Sequence, residues 1–218
     1  MNALLPIIRR DLRLATRAGG GALLGALFFL IVIAIAPFAF GPDLVLLSRV
    51  GPAVLWLGAL LATLLTLDRL LTADFDDGSL DIITMGRTPL EFVVAAKAAA
   101  HWLATGLPLV AIAPLLGLML NVEPNAMIAL ALALLVGTPA LTFIGLIGAA
   151  LAVTFRRGAL LLPVIVLPLT VPVLIFGVAA ATADSLFGPA FTILCALTLA
   201  SAVIGPFAAA AALRHGLE

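Results

Sequence analysis

The chain has 218 residues, of which 64% are hydrophobic and 10% are charged, and its mean hydropathy is +1.32. Ordinary soluble domains are about 45–50% apolar and about 25% charged, so this composition excludes that class and indicates a protein whose solvent is the lipid bilayer. The eleven basic and eleven acidic residues give a formal net charge of zero, which provides no global attraction for nucleic acid.

Residues 1–17 form a basic segment in which leucine and isoleucine alternate with arginine. The apolar positions are Leu4, Ile7, Ile8, Leu12 and Leu14, and the charged positions are Arg9, Arg10, Asp11, Arg13 and Arg17. This spacing is compatible with an amphipathic helix that lies in the membrane interface. The segment also suits a simple cationic flank that fixes the orientation of the first span, and both interpretations stay open.

Six stretches of the chain contain no Asp, Glu, Lys or Arg. They cover residues 18–42, 50–67, 98–122, 124–155, 158–183 and 185–213. Each can supply the roughly 17–25 residues of a membrane-spanning helix, and none alternates as a barrel strand does. We therefore predict an all-α integral membrane protein with one domain over 1–218 and six spans. The spans are predicted at about 20–40, 51–70, 93–120, 126–154, 159–182 and 190–213.

The basic residues predict the orientation of these spans, because cytoplasmic loops of membrane proteins are enriched in Lys and Arg. With residue 1 on the cytoplasmic side, ten basic residues lie on that side and only Arg49 lies on the other. The ten are Arg9, Arg10, Arg13, Arg17, Arg69, Arg87, Lys97, Arg156, Arg157 and Arg214. We expect both termini to be cytoplasmic, and the outer loops to be short, at about 41–49, 121–125 and 183–189.

The region from Asp68 to Lys97, where the second predicted span ends and the third begins, is the most charged part of the chain. Its charged residues are Asp68, Arg69, Asp74, Asp76, Asp77, Asp81, Arg87, Glu91 and Lys97. Apolar residues are interleaved with the acidic ones, which is typical of a short surface helix with acidic groups outside and apolar groups beneath. Gly78 is expected to interrupt or cap a turn, and Pro89 to begin the piece that leads into the next span. We predict a docking helix within 72–88.

Proline residues punctuate the fourth and fifth predicted spans. Pro163, Pro168 and Pro172 follow one another closely in the fifth span, and Pro139 lies in the fourth. Proline removes a backbone hydrogen bond and its ring clashes with the preceding turn, so these helices are predicted to kink, with the four prolines as hinges. A role in packing alone stays open.

Several strings of residues resemble a known family. Asp77-Gly78-Ser79-Leu80-Asp81, followed by Pro89 and Lys97, is similar to the segment that marks permeases of ABC-2 type exporters. Longer strings resemble the heme exporter protein B family of bacterial cytochrome c maturation. These strings cover 10–13, 67–70, 100–109, 137–145, 156–158 and 167–177. The resemblance runs from about residue 10 to about residue 213.

The resemblance implies a permease subunit of an ABC exporter in the bacterial inner membrane, with ATP and heme bound by partner subunits. The implied partners are a cytoplasmic ABC ATPase subunit, a heme-handling membrane subunit, a small membrane subunit and a heme chaperone. Because ATPase subunits of this class act in pairs, two copies of this chain per complex are expected. The docking helix becomes a coupling helix seated in the ATPase subunit. Its residues are Asp74, Phe75, Asp76, Asp77, Gly78, Ser79, Leu80 and Asp81.

The residues themselves argue against an enzyme. A Walker-type phosphate loop ends in Gly-Lys-Ser/Thr, but the only lysine, Lys97, lies between two alanines, so ATP hydrolysis is expected in a partner. Cys195 is the only cysteine, which rules out an internal disulfide and a cysteine metal cluster. We expect no cofactor or metal bound by this chain.

A few polar residues in or near the spans are candidates for contacts with a partner or with another helix. They are Asp68, Arg69, Lys97, His101 and Trp102. His101 fits a side chain hydrogen-bonded to a neighbouring helix better than a heme ligand, because it is predicted near the inner end of its span. The midplane carries no predicted carboxylate, which disfavours an ion-coupled secondary transporter. That transporter and a non-transporting scaffold are the alternative functions.

Overall fold

The structure is a computed structural model that describes residues 4–16, 21–86, 88–154, 158–183 and 185–216. Within these ranges the chain is helical and contains no strand. The helices are α1 (Leu4–Thr16), α2 (Gly21–Phe40), α3 (Leu44–Leu67), α4 (Arg69–Asp76), α5 (Ser79–Thr84), α6 (Leu90–His101), α7 (Leu107–Met119), α8 (Pro124–Thr154), α9 (Gly158–Ala181) and α10 (Pro189–Gly216). A π-helical turn, Trp102–Gly106, joins α6 to α7.

Six helical segments of the described chain are long and apolar enough to cross a membrane. They are Gly21–Phe40, Leu44–Asp76, Leu90–Met119, Pro124–Thr154, Leu162–Ala181 and Pro189–His215. The predicted all-α membrane fold with six spans is therefore confirmed. Six crossings return the chain to its starting side, and the end of α10 does meet the start of α6 there, where Arg214 Nη2 donates to Glu91 Oε1 at 2.7 Å. We refer to this side as the α1 end and to the opposite side as the far end.

The third helix, α3, begins earlier than predicted. Asp43 caps it, because its Oδ1 atom accepts hydrogen bonds from the backbone amides of Val45 and Leu46, both at 3.0 Å. The outer loop predicted at 41–49 is therefore wrong over most of its length, and Arg49 lies inside α3. A long side chain near a helix end can extend toward water, so one arginine does not end the span.

The buried apolar residues form two clusters along the bundle. The cluster toward the far end includes Phe29, Ile33, Leu55, Trp56, Leu60, Leu120 and Leu130. The cluster toward the α1 end includes Leu67, Leu71, Leu80, Leu90, Val94, Leu146 and Leu213. The second cluster supports the short helices α4 and α5 from below, so these helices are part of the packed bundle.

Trp56 of α3 is completely buried against glycines of two neighbouring helices. A Cβ atom at Gly177 in α9 would lie 2.6 Å from Cε2 of the indole, and a Cβ atom at Gly137 in α8 would also overlap the ring. Small residues allow membrane helices to approach this closely. The indole N–H has no hydrogen-bond partner among the described residues. Trp56 therefore fixes how α3, α8 and α9 pack together.

The predicted hinge prolines lie inside continuous helices. Pro139 is within α8, and Pro163, Pro168 and Pro172 are within α9. Pro168 and Pro172 are exposed on the outside of the bundle, whereas Pro139 and Pro163 are partly buried. Their role as hinges stays a prediction.

Candidate functional site

The turn between the second and third spans is built from α4 and α5. Asp77 and Gly78 separate the two helices, and Gly78 has a φ of +74°, a conformation that favours glycine. Asp77 Oδ1 accepts a hydrogen bond from the backbone amide of Ser79 at 2.9 Å. Hydrogen bonding by Ser79 holds the pKa of the Asp77 carboxyl below its ordinary value. The interruption predicted at Gly78 is confirmed.

The side chains of this turn divide between a buried face and an exposed face. Leu71 and Leu80 are buried in the cluster toward the α1 end. Phe75, Asp76 and Asp77 are exposed. The bundle therefore presents a small surface that is both acidic and aromatic, anchored by leucines underneath. We refer to Phe75, Asp76 and Asp77 as the acidic surface.

Two residues of the predicted docking helix face the opposite way from the prediction. Asp74, predicted on the exposed acidic side, is buried with 5% of its surface exposed, and Phe75, predicted beneath it, is exposed. The cause is helical periodicity: α4 buries Leu70 and Leu71, and Asp74 shares their face because it follows them by four and three residues. Asp81 lies in α5, but its side chain is outside the described part of the chain.

Asp74 belongs to a network of ionic contacts between α1, α4 and α6. Arg10 Nη2 donates to Asp74 Oδ1 at 2.6 Å, and Arg10 Nε donates to Asp11 Oδ1 at 3.0 Å. Lys97 Nζ donates to Asp11 Oδ2 at 2.7 Å and also forms an ion pair with Asp74 Oδ2. The hydroxyl of Ser79 donates to Asp74 Oδ1 at 3.0 Å. We refer to Arg10, Asp11, Asp74 and Lys97 as the ion cluster.

The ion cluster contains two cations and two carboxylates, so its charges balance. Only 2% of Lys97 is exposed. Burying an isolated charge costs several kcal/mol, which explains why each charge here has an opposite partner. Burial opposes the charge of Arg10, but the hydrogen bond with Asp11 and the field of Asp74 outweigh burial and raise the pKa of Arg10. The cluster joins three separate helices.

A polar cavity of about 240 Å³ lies beside the ion cluster, between α1, α2, α3, α4 and α6. His101 lines it, and a hydrogen bond of 3.2 Å connects the His101 imidazole to Thr66 Oγ1 of α3. The hydroxyl of Thr105 donates to the backbone carbonyl of His101 at 2.7 Å. Its volume is below the roughly 300–1,000 Å³ of pockets for drug-sized ligands.

The π-helical turn directs two adjacent residues to different helices. His101 reaches α3, whereas Trp102 Nε1 donates to Thr138 Oγ1 of α8 at 3.0 Å. The indole of Trp102 folds back over Gly106, where a Cβ atom would lie only 2.8 Å from Nε1. π-helical turns are frequent at functional sites. This one connects the polar cavity to α8.

The structure brings together some residues that the sequence singled out and separates others. Lys97 and Asp74 meet in the ion cluster, and Arg69 and His101 line the adjacent cavity. Asp68 is exposed between α3 and α4. The second partner of Lys97, Asp11, is not predicted from the sequence. A single lysine within an apolar span was the available signal, because such a charge requires a carboxylate nearby.

Comparison with known proteins identifies the family. A family model described as CcmB protein matches residues 2–216. The chain belongs to the CcmB family. The predicted resemblance to heme exporter protein B is thereby confirmed.

Individual proteins similar to this chain cover it almost completely, and each is named heme exporter protein B. The protein of Bradyrhizobium diazoefficiens is 67% identical over 222 residues and covers the whole of both chains. The protein of Paracoccus denitrificans is 53% identical over 97% of this chain and 99% of its own length. The protein of Escherichia coli K12 is 44% identical over 97% of this chain and 98% of its own length. The shared name describes transport proteins.

Proposed function

We propose that this chain is the permease subunit of an ATP-driven heme exporter that serves bacterial cytochrome c maturation. The observation that carries the proposal is the 67% identity, over both complete chains, to a protein named heme exporter protein B. A separate cytoplasmic ATPase subunit hydrolyses the ATP. Heme, the cargo, is handled together with other membrane subunits and a heme chaperone, and two copies of this chain act in one complex.

The acidic surface is the contact for the ATPase subunit. Asp76 and Asp77 supply two exposed carboxylates and Phe75 supplies an exposed ring, a combination that suits a basic groove with an apolar floor. Leu80 anchors α5 in the core, so a force on this surface reaches the spans directly. The segment is continuous with α3 on one side and leads into α6 on the other.

The ion cluster transmits movement of α4 to α1 and α6. Asp74 is one turn or less from the acidic surface and is bound by Arg10 of α1 and Lys97 of α6. A displacement of α4 therefore either carries these helices along or breaks buried ionic contacts at a cost of several kcal/mol. Movement of α1, α4 and α6 as one unit therefore has the lower free-energy cost.

The α1 end lies in the cytoplasm and the protein is in the bacterial inner membrane. The described basic residues support this orientation, because only Arg49 lies toward the far end. Those at the α1 end are Arg9, Arg10, Arg13, Arg69, Lys97 and Arg214. Arg17, Arg87, Arg156 and Arg157 lie outside the described residues.

Charge reversal on the acidic surface tests the ATPase contact. The Asp76→Lys variant, expressed together with the ATPase subunit, should lose co-purification and ATP-dependent maturation of cytochrome c while still inserting in the membrane. Adding Asp77→Lys should increase the loss of co-purification. Because Asp77 also caps α5, Asp77→Asn is the comparison that removes the charge but keeps an oxygen able to accept the capping hydrogen bond.

Glu123→Lys is the matched control, since Glu123 is exposed in the turn between α7 and α8 at the far end. It should leave both co-purification and maturation intact. Unchanged co-purification of the Asp76→Lys/Asp77→Lys variant would contradict the assignment of the acidic surface. Normal cytochrome c in cells that lack this chain would contradict the proposed function as a whole.

A further inference from the structure

A second cavity, of about 510 Å³, opens on the exposed side of α1. It is lined by Pro6, Arg9, Arg10, Arg13 and Leu14, all of which are exposed. Among the described residues its lining contains three guanidinium groups and no carboxylate. We refer to this cavity as the arginine groove.

The composition of the arginine groove points to a phosphate group. Arg9 and Arg13 are four residues apart and therefore lie on one face of α1, next to Arg10. A guanidinium group presents its N–H donors in a planar fork that matches the oxygens of phosphate. Pro6 and Leu14 add apolar surface, which an inorganic anion does not need but the glycerol and acyl part of a lipid does.

The position of α1 provides the source of such a phosphate. α1 packs against α6 beside the α1 end of the bundle, and the first span begins shortly after it, at Gly21. The groove is thus at the depth where spans end and headgroups lie. Leu5, like Leu14, is a large apolar side chain exposed on α1, and both are suited to contact with lipid. We propose that the arginine groove binds the phosphate headgroup of an anionic phospholipid.

Arg10 connects the bound headgroup to the ion cluster. Its Nε and one Nη bind Asp11 and Asp74, while much of the side chain remains exposed toward the groove. A guanidinium group has five N–H donors, so Arg10 can hold both carboxylates and contact a phosphate. The headgroup therefore contacts the same arginine that holds α1 to α4.

The purified full-length chain tests this proposal without any partner subunit, so the result is independent of the proposed heme export. The protein is incubated with equal amounts of phosphatidylglycerol and phosphatidylcholine of the same chain length, and native mass spectrometry counts the lipids retained. The wild type should be enriched in phosphatidylglycerol. Each arginine near an anionic lipid contributes about fivefold to binding, so the Arg9→Gln/Arg13→Gln variant should lose most of this preference.

Controls separate the groove from general electrostatics. The Arg49→Gln/Arg214→Gln variant removes two exposed arginines elsewhere and should keep the preference. The Arg9→Lys/Arg13→Lys variant keeps the positive charge but lacks the planar guanidinium groups. Its preference for phosphatidylglycerol should lie between those of the wild type and the Arg9→Gln/Arg13→Gln variant. Arg10 is left unchanged throughout, so that the ion cluster stays intact.

Four results would overturn the proposal. The first is a wild type without preference for phosphatidylglycerol, and the second is an equal loss in the control double variant. The third is complete displacement of the lipid by excess inorganic phosphate, which would assign the groove to a soluble anion. Loss of ATPase co-purification by the Arg9→Gln/Arg13→Gln variant, with its lipid preference unchanged, would instead make the groove a protein contact and would equally overturn the proposal.

Discussion

Lys97 of α6 and Asp74 of α4 form a buried ion pair across the base of the turn between the second and third spans. The acidic surface and α5 lie between these two residues in the sequence. Their pairing therefore closes the turn into a ring, and Asp11 attaches α1 to the same lysine. The turn is fixed at its base, where it enters the bundle, and exposed at its tip.

The first prediction concerns the loss of Lys97. The Lys97→Met variant leaves Asp11 and Asp74 with only Arg10, so one buried negative charge is uncompensated. Breaking a buried pair in this way costs about 3–5 kcal/mol. Reversible unfolding in mixed detergent micelles should report a loss of this size in the free energy of unfolding.

Two variants control for this prediction. Adding Asp74→Asn to Lys97→Met restores a balanced cluster and should recover a large part of the stability. Arg214→Gln breaks the pair with Glu91, in which the arginine is about half exposed, and should cost only about 0–1 kcal/mol. A Lys97→Met variant no less stable than Arg214→Gln would show that the ion cluster contributes little.

The second prediction concerns the glycine beside Trp56. A methyl group at Gly177 would overlap the indole, so Gly177→Ala should destabilise the bundle by about 1–3 kcal/mol. The smaller side chain of Trp56→Leu should relieve the overlap when the two changes are combined. Gly21→Ala is the matched control, because the nearest atoms to its methyl group would be at an ordinary 3.8 Å. Thermal unfolding in detergent compares Gly177→Ala, its combination with Trp56→Leu, and Gly21→Ala. Equal destabilisation by Gly177→Ala and Gly21→Ala would contradict the close packing of Gly177 against Trp56.

The third prediction concerns the contact between the π-helical turn and α8. Thr138→Val removes the acceptor of the Trp102 indole N–H at a buried position and should cost about 1–3 kcal/mol. In a Trp102→Phe background the same change should cost much less, because no donor is left unpaired. A double-mutant cycle measures this difference, and additive effects would argue against the hydrogen bond.

The fourth prediction distinguishes a moving permease from a scaffold. In a Cys195→Ser background, cysteines at Val45 of α3 and at Thr182, which directly follows α9, place reactive thiols on exposed positions at the water boundary of two spans. Trapping the ATPase subunit in its ATP state should change the labelling rate at both positions in a permease. Rates that stay equal with and without ATP, while the ATPase remains bound, would favour the scaffold.

The number and type of the spans could be predicted from sequence because a bilayer accepts few other structures. Six apolar stretches separated by charges leave little alternative to six helices. The start of α3 could not be predicted in the same way. The predicted outer loop at 41–49 includes Asp43, whereas capping by the Asp43 side chain starts the helix at Leu44.

The candidate site was predicted in part. Exposure of Asp76 and Asp77 follows from the general cost of burying carboxylates. The same rule fails for Asp74, because the compensating charges come from Lys97 in another span and from Arg10 in α1. Such pairings join residues distant in sequence, and a local pattern carries no information about them. Tertiary contact and helical phase together decide which acid is buried.

The π-helical turn has a consequence for the phase of the third span. It adds one residue to what would otherwise be a regular α-helix from Leu90 to Met119. Removing a residue there would turn the first half of the span by about 100° relative to the second half. Lys97 and His101 would then point away from α1 and α3, although no side chain of the ion cluster had been altered. The rotational setting of the charged half of this span is thus held by a single extra residue.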